Sequence, residues 1–147
     1  MVQSIQRVPW KLRSKIAKQL NSKLTLLTVY HVTVIPATSP ELTMHTTATV
    51  PDATSVGLAQ MAIQSAHNFG KKILSEAEAK VKSENVSVET ELTGGDAVGE
   101  IVRKSKEGNF DLIVMGARGL GTIKKIFIGS VSEGVLKNTL CPVLIVK

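Results

Sequence analysis

The stretch that most constrains this chain is residues 111–133, DLIVMGARGLGTIKKIFIGSVSE. Asp111-Leu112-Ile113-Val114-Met115 is a short, almost uninterrupted apolar run, which suits a strand buried on both faces of a parallel sheet. It stops at Gly116, and glycines return at Gly119, Gly121 and Gly129 before a helical pattern opens. Strand, glycine-rich loop and helix start, in that order, can make an anion cradle. Glycine lets the backbone come close to a ligand, and the unbonded N–H groups of a first helical turn favour a phosphate. Ser130-Val131-Ser132-Glu133 has the S-x-x-E form of a capping box, with Ser130 as N-cap and Glu133 as its reciprocal partner. Ser130 therefore has two readings, a helix cap or a phosphate contact.

Other phosphate loops fit less well. Gly116 to Gly121 runs G-x-x-G-x-G, the wrong order for the dinucleotide pattern G-x-G-x-x-G, and no G-x-x-x-x-G-K-[ST] occurs. A chain of 147 residues reads as one domain, 1–147, large enough to bury its own core. With a single cysteine, Cys141, no internal disulfide can form, and no Cys/His cluster has metal-ligand spacing, so neither a metal nor a cysteine scaffold is expected. That usage suggests a reducing, cytoplasmic setting. No apolar run approaches a membrane span, and no signal-peptide core is visible, so no membrane association is expected. The net charge of +6 invites a nucleic-acid reading. The basic residues, however, spread over helix faces and alternate with Glu76, Glu78 and Glu84, and there are few aromatic rings to stack on bases. No specific nucleic-acid partner is expected.

Along the chain, residues 2–8 show neither strand alternation nor a compact apolar run. After Pro9, Leu12, Ile16 and Leu20 line one helix face, with Lys11, Arg13, Lys15 and Lys18 on the wet side. Residues 24–30, LTLLTVY, read as an interior strand. Residues 33–55 carry Pro36, Pro40 and Pro51 and no period; they are either a lid or a plain connection. His31 and His45 read as surface or loop residues. A long helix follows, with an apolar stripe at Leu58, Ala62, Ala66, Phe69, Ile73, Ala77 and Val81; His67 falls on it as a half-exposed side chain. Residues 86–92 alternate as a one-faced or edge strand. Asp96, after Gly94-Gly95, is an N-cap for a helix over 97–106 with Val98, Ile101 and Val102 inward, or more sharply a catalytic carboxylate. The helix after Gly129 points Val131, Val135 and Leu136 inward. Residues 142–146 make a last strand, with Cys141 a small buried residue at its entrance.

Alternating helices and strands imply an α/β fold: an open parallel sheet with helices on both faces and its ligand beyond the carboxyl ends of the strands. The spacing G-x2-G-x9-G-S, at Gly116, Gly119, Gly129 and Ser130, resembles the nucleotide-binding pattern of the universal stress protein family, ATP-binding type. DLIVMGARGLG, GSVSE and CPVLIVK resemble that family's phrasing, and the likeness runs from about Ser22 to Lys147. The resemblance implies a Rossmann-like, adenine nucleotide alpha hydrolase-like sheet ordered 3-2-1-4-5. It implies ATP, with or without Mg2+, held by Gly116, Gly119, Gly129 and Ser130. Val131 and Ser132 would supply further donors, Met115 would lie under the nucleotide, and Val29 would form part of the adenine wall. Arg118 and Lys124 or Lys125 would neutralise phosphate charge. It implies a role in stress response and a homodimer through the C-terminal strand. It also implies a first central strand ending in an Asp that this sequence lacks, so residues 1–8 read as atypical and that strand as missing or degenerate. Three functions stay open: a nucleotide-dependent stress regulator, an adaptor dimer that has lost nucleotide binding, and a slow ATPase. No catalytic residue or general base can be named.

Overall fold

The computed structural model describes residues 2–4, 10–31, 52–117 and 128–146. Its elements run β1 (Val2–Ser4), α1 (Trp10–Gln19), β2 (Leu24–Tyr30), α2 (Asp52–Lys82), β3 (Val88–Gly94), α3 (Ala97–Glu107), β4 (Ile113–Gly116), α4 (Ser130–Asn138) and β5 (Val143–Val146). The strands form one parallel sheet in the order β3-β2-β1-β4-β5.

Of the two expectations for the central strand, missing or degenerate, the sheet overturns the first: the strand is present and short. β1 fills the middle, pairing Gln3 with Leu26 of β2 on one side and with Val114 of β4 on the other. It spans three residues against the seven of β2. So short a segment cannot display a period in sequence. It is a strand because both neighbours offer it unpaired backbone donors and acceptors, which are costly to leave unsatisfied.

Alternation along β2 divides the core. Leu24 and Leu26 face α1 and α2 and cluster with Ala17, Leu74, Val81 and Val114. Leu27 faces the other way and clusters with Ile101 of α3, Ile113 and Met115 of β4, and Val135 of α4. Each fully buried leucine contributes roughly 1.5–3 kcal/mol. β4 is buried along its whole length, as its apolar run predicts. β3 and β5 are the edges, which accounts for the charged alternation of β3.

Helix faces are where the sequence reading and the structure part. In α1 the buried residues are Arg13, Ser14 and Ala17, with Leu12 and Ile16 partly covered, while Leu20 is exposed. Burial pushes the Arg13 guanidinium down to about 10. In α2 the buried positions are Gly70, Leu74 and Val81, whereas Leu58 and Phe69 are 68% and 63% exposed. The reason lies at Gly70. A Cβ built there would stand 2.6 Å from Leu92 Cδ1, so the helix rests on the sheet at a residue without a side chain, and the Leu58–Phe69 stripe turns away from it. In α4, Val135 is buried and Leu136 is exposed, contrary to expectation. α3 follows expectation: Ile101 and Val102 are buried, and Asp96 caps it, its Oδ2 accepting from the Gly99 amide at 2.7 Å. With Asp96 so engaged, the capping reading fits and the catalytic one gains nothing.

Candidate functional site at the carboxyl edge of the sheet

β4 delivers Gly116 and Ala117 to the carboxyl edge of the sheet, and α4 begins beside them. Three hydrogen bonds tie this junction together. The Ala117 amide donates to the Val146 carbonyl at 2.7 Å, the Gly129 amide donates to the Ala117 carbonyl at 2.6 Å, and the Ser132 hydroxyl donates to the Gly116 carbonyl at 2.8 Å. The segment that leaves at Ala117 and returns at Gly129 is thus closed at its neck.

The N-cap of α4 is Gly129, not Ser130, with φ −68° and ψ 155° and no side-chain cap. The capping-box expectation is therefore corrected. Glu133 donates its backbone amide to the Gly129 carbonyl at 2.9 Å, but its carboxylate turns to Lys137 at 2.7 Å. The hydrogen bond from Lys137 holds the Glu133 carboxyl below its ordinary value. Ser130 becomes the first helical residue, exposed to solvent. The amides of Ser130, Val131 and Ser132 precede the first intrahelical bond, and among the described residues none has a backbone acceptor. Those of Ala117 and Gly129 are already used. The Ser132 hydroxyl is likewise committed within the junction, so its backbone amide is the donor left to face a ligand. The positive end of the helix dipole adds to the pull on an anion.

Beneath this edge, Val29 of β2, Met115 of β4 and Val131 of α4 share one apolar cluster. Met115 is buried and Val29 half-buried, so the floor of the edge is apolar and its α4 side is lined by donors. Such a pairing suits a ligand with a flat apolar part and an anionic tail. Arg118, Gly119, Gly121, Lys124 and Lys125 lie outside the described residues, as do His45 and all but the last four of residues 33–55. His31, read as a surface or loop residue, is exposed and outside the strand. It follows β2 directly, two positions beyond Val29, and its Nδ1 lies 3.3 Å from the Gly95 carbonyl.

A cleft of about 630 Å³ opens at the opposite edge, at the amino ends of β2 and β3, lined among others by Thr25, Glu89, Glu91, Lys104 and Asp111. Its walls are bridged by the ion pairs Lys23–Glu89 and Lys104–Glu91. In open parallel sheets ligands bind beyond the carboxyl ends, not the amino ends, so volume here does not mark the site. Cys141 donates its thiol to the Phe110 carbonyl at 3.0 Å, and burial pushes its pKa up. Among the described residues no group of His, Cys, Asp and Glu is placed to hold a metal ion, and no helix is long and apolar enough to cross a membrane.

The strand order and helix placement define an open α/β domain with a helix start at the carboxyl edge of its sheet. The universal stress protein family profile matches residues 10–147, and the chain belongs to that family. It is 41% identical over 78 residues to universal stress protein YxiE of Bacillus subtilis, covering 53% of each chain. The chain spans about half the length of the curated relatives it matches. Among solved structures it resembles a universal stress protein from Archaeoglobus fulgidus in complex with dAMP, with TM-score 0.59 and 17% identity over 99% of this chain and 95% of that one. It also resembles a family member from Arabidopsis thaliana with AMP bound, with TM-score 0.60 and 19% identity over 100% and 91%. At such identity the structural likeness shows the fold alone.

Proposed function

We propose that this chain binds an adenine nucleotide, ATP or a nucleotide with a shorter phosphate tail, at the carboxyl edge of its sheet, and that it serves as a nucleotide-dependent regulator in the cytoplasmic stress response. The observation that carries the reading is the set of amides of Ser130, Val131 and Ser132, which have no backbone acceptor among the described residues, at the start of a nine-residue helix held against β4 by the Gly129–Ala117 and Ser132–Gly116 bonds. AMP and dAMP in solved structures of the same fold support it. In this reading the phosphates meet these amides, Gly116 and Gly129 allow close approach, and Val29 and Met115 form the apolar floor. Arg118 and Gly119 complete the phosphate side, and Mg2+ accompanies ATP where it is bound.

Ser130→Pro tests the seat directly. Proline is accepted at a first helical position, whose amide has no intrahelical role, and the extended ψ of Gly129 suits the residue before a proline. The substitution deletes one donor while leaving the helix in place. Calorimetric titration with ATP and AMP is expected to show affinity falling about tenfold or more in Ser130→Pro, since hydrogen bonds to charged groups contribute about 1.5–3 kcal/mol. Ser130→Ala keeps the amide and should lose much less. Equal affinities for the proline variant and the parent would remove the seat from the explanation.

The open edge of β5 supports a homodimer as well. Leu144 on that strand, Leu140 before it in the chain and Leu136 of α4 are exposed apolar residues, and an unpaired edge is a template for a second copy. Light scattering is expected to give a dimer mass that Leu144→Lys reduces to a monomer. A parent chain that stays monomeric at high concentration would refute the pairing.

A further inference from the structure

We propose that the cleft at the amino edge of the sheet binds a linear polyamine, its ammonium groups reaching from Asp111 to Glu89 with the Thr25 hydroxyl between them. This site lies at the other end of the strands from the nucleotide edge and stands independently of it.

The chain carries a net charge of +6, so its surface as a whole does not attract cations. The cleft inverts that balance. Four of the chain's twelve acidic residues, Glu89, Glu91, Glu107 and Asp111, line it against the ammonium groups of Lys23 and Lys104. The carboxyl ends of α1 and α3 also open on it, through Asn21 and Gly108, and the negative end of a helix dipole favours a cation. Three of the carboxylates have partners within the protein: Glu89 pairs with Lys23, Glu91 with Lys104 and Glu107 with Arg103. Asp111 is exposed and has no ion pair among the described residues.

Thr25 supplies an observation that does not depend on charge. It shares the face of Leu27, towards α3. Only 4% of it is exposed, and that remnant lies on the cleft. Its backbone is paired on both sides, with Val2 and with Glu89, so the cleft reaches its side chain. The hydroxyl has no hydrogen-bond partner among the described residues. A hydroxyl enclosed to this degree has lost most of its water without gaining a bond, which a ligand donor reverses.

The register sets the shape of the ligand. Glu89, Thr25, Val2 and Ile113 form one row across the sheet. β3 and β4 are therefore three strand spacings apart, about 14 Å, with Glu89 at one end and Asp111, two residues before Ile113, at the other. Phe110 adds an apolar wall, its ring lying against Gly108, where a Cβ would collide with it. Carboxylate, hydroxyl with apolar wall, carboxylate is the complement of ammonium groups joined by methylene chains. A single metal ion would meet one end only, and among the described residues no group of acidic side chains is placed to hold one. The Lys23–Glu89 pair does not close that end, because both side chains are about 60% exposed and such pairs are weak. A volume of about 630 Å³ suits a small molecule.

The test is calorimetric titration of the full chain with spermidine in nucleotide-free buffer. Saturable binding is expected, weakened about tenfold in Asp111→Asn and about three- to tenfold in Thr25→Val, which keeps the side-chain shape and removes the hydroxyl. Asp111 is exposed, so its replacement leaves the core intact whatever Thr25→Val does to folding. Ser130→Pro is expected to bind spermidine as the parent does. A parent that shows no saturable binding, a folded variant of either cleft residue that binds like the parent, or displacement of spermidine by Mg2+ at equal charge concentration would overturn the site. A loss in Ser130→Pro would place the cation at the nucleotide edge and overturn it equally.

Discussion

Gly134→Val is expected to destabilise the chain by about 1–3 kcal/mol, the cost of forcing extra atoms into a packed contact. Gly134 lies in α4, where a Cβ would stand 2.6 Å from Cγ2 and 3.1 Å from Cγ1 of Val98 in α3. Turning the Val98 side chain only exchanges one methyl for the other, so the helices must separate. Glycine costs about 0.8–1.0 kcal/mol relative to alanine inside a helix, and its presence here is explained by the contact and not by the helix. The effect extends to the site, because α4 carries the Ser130, Val131 and Ser132 amides. Urea denaturation measures the loss, and Val98→Ala in the Gly134→Val background should recover part of it. A Gly134→Val chain as stable as the parent would show that the two helices are not held this closely.

Leu26→Ala is expected to cost about 2–5 kcal/mol, the range for emptying a buried leucine site. Leu26 is 0% exposed, in the cluster shared by Ala17, Leu74 and Val81, and it pairs on one side with Gln3 and on the other with Thr90. Backbone pairing on both sides limits how far the strand can move into a cavity. Met61 of α2, at 71% exposure, is the control: its replacement by alanine should change stability by no more than about 0.5 kcal/mol. Comparable losses at the two positions would contradict the core assignment. Out of a total near 5–15 kcal/mol for a domain of this kind, the Leu26 change removes a large share.

Much of the fold was legible. The run Ile113-Val114-Met115 marked a strand covered on both faces, residues 24–30 another, and Asp96 the start of α3, because each is dictated by local chemistry. The expected stripes failed at Leu20, at Leu58 and Phe69 and at Leu136, because which face of a helix is buried depends on where its neighbour comes closest. Gly70 in α2 decides that contact through an absence of atoms, and hydrophobic periodicity does not register a missing side chain. β1 escaped notice because three residues owe their strand character to the partners on either side. At the site, Gly116, Gly129 and Ser130 were legible as a group from their spacing. That Gly129 caps the helix and Ser132 bonds Gly116 was not legible, since S-x-x-E suits a capping box equally well when its glutamate has a lysine four residues on.

By itself the order of residues determined an open parallel α/β sheet and a glycine-bounded junction leading into a helix, since apolar run length, turn residues and helix starts are local properties. Only the tertiary structure decided which amides at that junction are used among the described residues, which helix faces are covered, and that the histidine after β2 is held by the end of β3. Each of these is an agreement between segments distant in sequence, where one chain section uses or leaves free the hydrogen bonds and surface of another.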